Sequence, residues 1–321
     1  MEDAPRSGRG WRRVAGLLLV GPMLGVSSIA SMIAVPFIAL SVILGARRLG
    51  ALVVTGLAIA VAVGGLPRDA IWYLERGWAV LLAGWFVALT LRWPTVGFFP
   101  RALAAVLGTF TIVVVFFEAQ PGNWTYVDWL VTERIMRGTD AAVSALAGMV
   151  RHFGDPEAPL SGRLAAAVYQ AGEQQGRAFP ALLGLSSLAA LGVAWWGYVR
   201  LALGNDMGVG PLRDFRFNDH LVWLFVVGLV VLGVGSGEGA ERAGTNILVF
   251  MGGLYALRGA AVVVFLSGGL SLMGFVLLLF GVLILPPLLF FGALVIGLGD
   301  TWLDLRSRVK TLVGNDEGRG G

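Results

Sequence analysis

The feature that most constrains this chain is the length of its uninterrupted apolar runs. A membrane-spanning helix needs about 20 apolar residues, within a range of roughly 17–25. Residues 49–66, 71–91, 99–118, 180–201, 219–235 and 245–266 each supply such a run. Hydrocarbon offers no water to backbone N–H and C=O groups, so a spanning segment is either a helix or a strand of a closed barrel. The runs are continuous in apolar character rather than alternating, which excludes barrel strands. The expected fold is therefore all-α, a polytopic transmembrane helical bundle. Charge supports lipid as the main solvent: 57% of the residues are hydrophobic and 14% charged, against roughly 45–50% and about 25% in soluble domains.

Two further runs, 14–46 and 270–298, are long for one straight span and short for two. Each carries proline near its middle, Pro36 in the first and Pro286 and Pro287 in the second, and proline breaks or kinks a helix. Arg12 and Arg13 flank the first run on one side, Arg47 and Arg48 on the other. Both pairs favour the cytosol, which makes 14–46 a hairpin of two short helices. Arg92 and Arg101, Arg200, Arg213 and Arg216, and the tail Arg306, Arg308 and Lys310 then fall inside, while Asp69, Glu75, Glu238 and Glu241 fall outside. With both termini cytosolic, 270–298 must be a second broken pair or re-entrant, giving about 8–10 crossings of a bacterial cytoplasmic membrane.

This divides the chain into N-terminal transmembrane helices over 1–119, an extracytoplasmic segment over 120–178, C-terminal transmembrane helices over 179–300 and a cytosolic tail over 301–321. In 120–178, Val127, Leu130, Val131, Ile135, Val143, Leu146, Val150 and Phe153 recur at helical spacing between charged residues. Gly154, Pro156 and Pro159 interrupt before a second helical stretch at 161–178, the pattern of an amphipathic helical hairpin that either lies on the outer face or forms a lid over a substrate cavity. Trp72, Trp78, Trp93, Trp124, Trp129, Trp223 and Trp302 lie near span ends, as in an interfacial aromatic belt.

Several chemistries are excluded. The absence of cysteine removes disulfides, thiolate metal sites and a cysteine nucleophile, and two histidines, His152 and His220, are too few for the usual zinc sites. Neither H-E-x-x-H nor G-x-S-x-G occurs, and the glycines of 233–239 lack the lysine of a phosphate-binding loop. No cofactor, no metal and no enzyme activity are expected. The pI near 9.9 reflects arginines beside apolar runs rather than a nucleic-acid-binding stripe, so the expected surroundings are the lipid bilayer.

Arg258 is the candidate for a specific role. It lies in the run 245–266, where a charge costs about 2.5–3.5 kcal/mol on insertion scales. Asp300, Asp304 and Asp219, each close to a span end, are its available partners. Arg258 is read as a structural ion pair, as part of a substrate or proton-coupled site, or as a side chain snorkelling to an interface. The stretch from Pro211 to Trp223, with Arg213, Phe215, Arg216 and Phe217, reads as an interfacial helix whose phenylalanines dip into the headgroup region, or as a docking elbow for a cytosolic partner. Small residues four apart, such as Ala30 and Ala34, allow close helix packing.

The element Pro211-x3-Phe-Arg-Phe217 before Leu-Val-Trp223, Leu254-Tyr-Ala-Leu-Arg-Gly259, the double proline and Asp300-Thr-Trp-Leu-Asp-Leu-Arg306 together resemble the YybS-like family of bacterial membrane proteins of unassigned function. That family has been likened to the substrate-binding S components of energy-coupling-factor transporters. The resemblance implies a small-molecule-binding or permease-type membrane component, with Ala30-x3-Ala34 docking a coupling subunit. The alternative is a non-transporting scaffold or assembly factor that recruits a cytosolic partner.

Overall fold

The computed structural model describes residues 28–45, 48–64, 68–120, 122–153, 162–204, 212–267 and 286–308. All regular structure among them is helical: α1 Ser28–Ile43, α2 Leu49–Val63, α3 Ala70–Arg92, α4 Phe98–Glu118, α5 Asn123–Phe153, α6 Gly162–Arg177, α7 Phe179–Tyr198, α8 Val222–Val234, α9 Glu238–Leu266 and α10 Pro286–Leu303. Among the described residues, α3, α4, α7 with its terminal π-turn, and α9 are long and apolar enough to cross a membrane; α1, α2, α8 and α10 are shorter apolar helices. The 23 residues of α3 extend about 34 Å at 1.5 Å per residue, enough for a hydrocarbon core of about 30 Å.

One expectation about proline changes. Pro36 lies inside α1, not at the turn of a helix pair. A transmembrane helix tolerates proline where neighbouring groups satisfy the freed carbonyl. Pro286 opens α10, at the first-turn position where a missing N–H costs nothing. Segments 14–27 and 270–285 of the two long runs lie outside the described residues.

The chain forms two compact units, residues 1–176 with 186–209, and residues 177–185 with 210–321. In the first, α1 packs on α2 and α3, and α3 on α4. Its core sets Phe37, Leu40, Leu82, Phe86, Val106, Leu191 and Tyr198 among Ala51, Ala102, Ala105, Ala194 and Ala202. The alanines let backbones approach in lipid, where packing rather than water expulsion holds helices together. Buried Thr55, Thr90 and Thr109 each donate to the carbonyl four residues earlier at 2.7–2.8 Å, so no hydroxyl is stranded. Trp78 departs from the belt expectation: it is buried and its indole N–H donates to Ser187 at 2.9 Å. Trp93, Trp124, Trp129, Trp223 and Trp302 are exposed near helix ends.

α5 and α6 form an antiparallel hairpin. A Cβ on Gly172 would come within 2.5 Å of Thr139 Oγ1, and one on Gly176 would touch Ile135. Tyr169 donates to Asp140 at 2.8 Å, and this hydrogen bond holds the phenol above its ordinary pKa. Arg134 of α5 reaches Glu75 of α3 at 3.0 Å, fastening the hairpin to the end of α3 where Asp69 caps the helix by accepting from the Trp72 N–H.

In the second unit α9 is the central rod. A Cβ on Gly228 of α8 would press on Ile247 and Leu248, and one on Gly244 on Leu232, so α8 runs antiparallel to α9. The connecting loop is three residues long, and Gly237 at φ +98° supplies its left-handed step. α10 lies antiparallel against α9 as well. A Cβ on Gly259 would overlap the Ala293 carbonyl oxygen, and one on Gly297 the Tyr255 carbonyl oxygen. Two facing glycines thus bring the backbones into direct contact.

A buried arginine network at the helix crossing

These packings determine what surrounds Arg258. Continuing the α8–α9 register carries the start of α8, with Asp219, to the level of Arg258. The α9–α10 register carries the last turn of α10, with Asp300, to the same region. Helical side chains lean toward the N-terminus of their own helix, so Arg258 leans back from its position opposite the middle of α10 toward Asp300.

Arg258 is fully buried and Asp300 1% exposed. Arg258 Nε donates to Asp300 Oδ2 at 3.0 Å and Nη1 to Asp219 Oδ1 at 2.6 Å. The guanidinium carbon lies 5.4 Å from the centre of the Phe217 ring, and Phe217 packs edge-on against Tyr255 at 5.1 Å. A second cation completes the site. Arg306 Nη2 donates to Asp300 Oδ2 at 3.3 Å and to the Phe215 carbonyl at 3.0 Å, and Nη1 to the Arg213 carbonyl at 3.0 Å. Arg216 closes the periphery, donating to Asp219 Oδ2 at 3.3 Å and to Asp304 Oδ1 at 3.4 Å.

Local sequence explains how Arg306 arrives. Asp304 adopts φ +41°, a left-handed residue that ends α10; aspartate tolerates this conformation better than branched side chains do. The chain folds back, Ser307 and Arg308 donate backbone N–H groups to the Asp304 carbonyl, and Arg306 returns over Asp300. Asn218 accepts from the His220 N–H at 3.0 Å, fixing the turn that presents Asp219.

The structure thus brings Arg258, Asp300 and Asp219 into one network, with Asp304 joined through Arg216. Arg213 and Arg216 are exposed beside it, and Phe215 is half-buried. Phe217 is not directed at headgroups: it is buried beneath Arg258 because its ring covers the guanidinium face. Ala30 and Ala34 are buried within the first unit, not on an open face.

Sequence reasoning overlooked Arg306, assigned to the tail as a topogenic charge. Its signal was the surplus of acid: three aspartates around one intramembrane arginine call for further cations. It also overlooked Asn246, whose amide donates to the carbonyls of Arg177 and Arg242 at 2.8 Å each, while its oxygen accepts from the Ala181 N–H at 2.9 Å. That side chain caps the start of α7. No group of three or more metal-ligating side chains is present among the described residues.

Continuous apolar helices, joined by glycine crossings and holding a neutralised arginine, define a polytopic helical membrane protein. The chain belongs to the family described as predicted membrane protein (DUF2232), whose family model matches residues 15–301. No curated protein and no solved structure matches it.

Proposed function

We propose that this protein is a non-enzymatic membrane component that works by presenting the segment 212–221, together with the start of the tail, to a partner on the cytosolic side. The observation behind this reading is the charge balance of the network. Arg258, Arg306 and Arg216 are matched by Asp300, Asp219 and Asp304, all from this chain. A substrate-binding arginine needs charge left over for its ligand, whereas this network spends its charge on fixing an elbow in place. Leu212, Arg213, Asp214 and His220 remain exposed on that elbow. In the scaffold reading these side chains meet the partner.

A second reading has its own support. Arg258 Nη2 and Asp300 Oδ1 are buried and have no hydrogen-bond partner among the described residues. A small polar molecule able both to accept from the guanidinium and to donate to the carboxylate would satisfy both atoms. That suits the small-molecule-binding role implied by the likeness to YybS-like proteins and to S components. Photocrosslinking in native membranes separates the readings. A crosslinker at Arg213 or Leu212 is expected to yield one discrete adduct, and one at Tyr169 none. Absence of that adduct, combined with a co-purifying small molecule lost on Arg258→Lys, would replace the first reading with the second.

A further inference from the structure

A different set of arginines lies at one end of the first unit. Three contacts define that end. Tyr198 donates to the Gly45 carbonyl at 3.1 Å; a Cβ on Gly204 would overlap the Arg48 guanidinium; and a Cβ on Gly192 would touch Phe98. The α1–α2 turn, the α3–α4 turn and the end of α7 therefore meet there, carrying Arg48, Arg92, Arg101 and Arg200. None of these four has a carboxylate within ion-pair distance among the described residues.

Arg101 is the unusual member. It is 7% exposed, and its only hydrogen bond to described residues runs from Nε to the Gly97 carbonyl at 3.3 Å. Its guanidinium carbon lies 5.1 Å from the Trp195 ring centre. Trp195 rests on Phe86 at 5.8 Å and Tyr198 at 6.0 Å, and Phe86 meets Phe98 at 5.7 Å. An aromatic bed thus holds the charge, while neither terminal nitrogen has a hydrogen bond to a described residue. Arg200 lies over the next indole, Trp196, at 5.4 Å, and Arg92 over Trp93 at 5.7 Å. Burying an arginine side chain without a counter-ion is costly, and cation–π contact returns only part of that cost.

We propose that this end of the first unit binds the phosphate of an anionic phospholipid, with Arg101 as its central ligand and Arg92 and Arg200 at the rim. A guanidinium matches phosphate oxygens with paired donors. A lipid is favoured over a free anion because the rim is apolar as well as basic: Leu91, Trp93, Val96, Trp196 and Leu203 are all exposed beside it. Headgroup phosphate and acyl chain are thereby met by neighbouring side chains, as in basic pockets between membrane helices.

The test uses the full-length protein in a neutral detergent, with lipid retention read by native mass spectrometry and unfolding temperature by fluorescence. Added phosphatidylglycerol should be retained and should raise the unfolding temperature, whereas phosphatidylcholine and inorganic phosphate should do neither. Arg101→Gln should weaken phosphatidylglycerol retention about tenfold, the scale of one lost charge-assisted contact. Should Arg101→Gln fail to fold, the rim pair Arg92→Gln with Arg200→Gln, both exposed, carries the test and should also weaken retention. Equal retention of the two lipids, unchanged retention in the variant that folds, or stabilisation by inorganic phosphate alone would each overturn the proposal.

Discussion

Arg258 without a counter-charge would be an ion in hydrocarbon, and a carboxylate without Arg258 would be no better placed. Removing one member of a buried pair leaves the other uncompensated, typically costing about 3–5 kcal/mol in soluble proteins. Arg258→Leu and Asp300→Leu are each expected to lower the unfolding temperature in detergent. The double substitution should recover part of the loss, because neither fully buried charge is left facing an apolar replacement; Arg306 and Asp219, which also lose a partner, are the more exposed members of the network. Strictly additive losses would show the two side chains to be uncoupled. Arg306→Gln should be milder than Arg258→Leu, since Arg258 still faces Asp300 at 3.0 Å. A thermal-shift series over the four variants checks both orders. The sequence could nominate Asp300, Asp219 and Asp304 because an intramembrane arginine restricts its partners to nearby acids. For Arg306 the sequence held only the surplus of acid around Arg258; the left-handed turn at Asp304 that delivers it is a backbone event that the residue order does not announce.

At the scale of elements, the glycines do what hydropathy cannot express. Gly259 and Gly297 lie where α9 and α10 touch backbone to backbone. Gly259→Ala is expected to force the helices apart and dismantle the arginine network, although alanine is the better helix former by about 1 kcal/mol. Gly292→Ala, where an added Cβ meets no described residue within 4 Å, should be neutral or stabilising. Circular dichroism melts of the two variants decide, and equal behaviour would refute the close crossing. In the α5–α6 hairpin the same contrast is expected between Gly172→Ala, facing Thr139, and Gly138→Ala, facing open space; overpacking at the first should cost about 1–3 kcal/mol. Element positions were readable from the apolar runs: 71–91 and 99–118 differ from α3 and α4 by one residue at most. α9 was read as starting at 245, seven residues late, because Glu238, Glu241 and Arg242 carry the helix into polar surroundings where hydropathy falls silent while backbone hydrogen bonding continues.

At the scale of the molecule, the charge of the first unit makes a prediction about sidedness. One end gathers Arg48, Arg92, Arg101 and Arg200; the other carries Asp69, Glu75 and Glu118 and the α5–α6 hairpin that Arg134 ties to Glu75. Arginine in short loops favours the cytosol, and acids contribute little. The basic end is therefore expected inside, with the hairpin outside. Alkaline phosphatase is active only after export, so fusions within 123–153 or 162–177 should be active, and fusions at 93–97 or after Arg308 inactive. The fusion after Arg308 carries most weight, because the number of crossings between α9 and α10 passes through residues 268–285. An inactive fusion there requires an even total and places the Arg306 turn on the cytosolic face, where the proposed elbow must be to meet its partner. An active one would put the Arg306 turn outside the cytosol, and partner recruitment from the cytosol through residues 212–221 would fall with it.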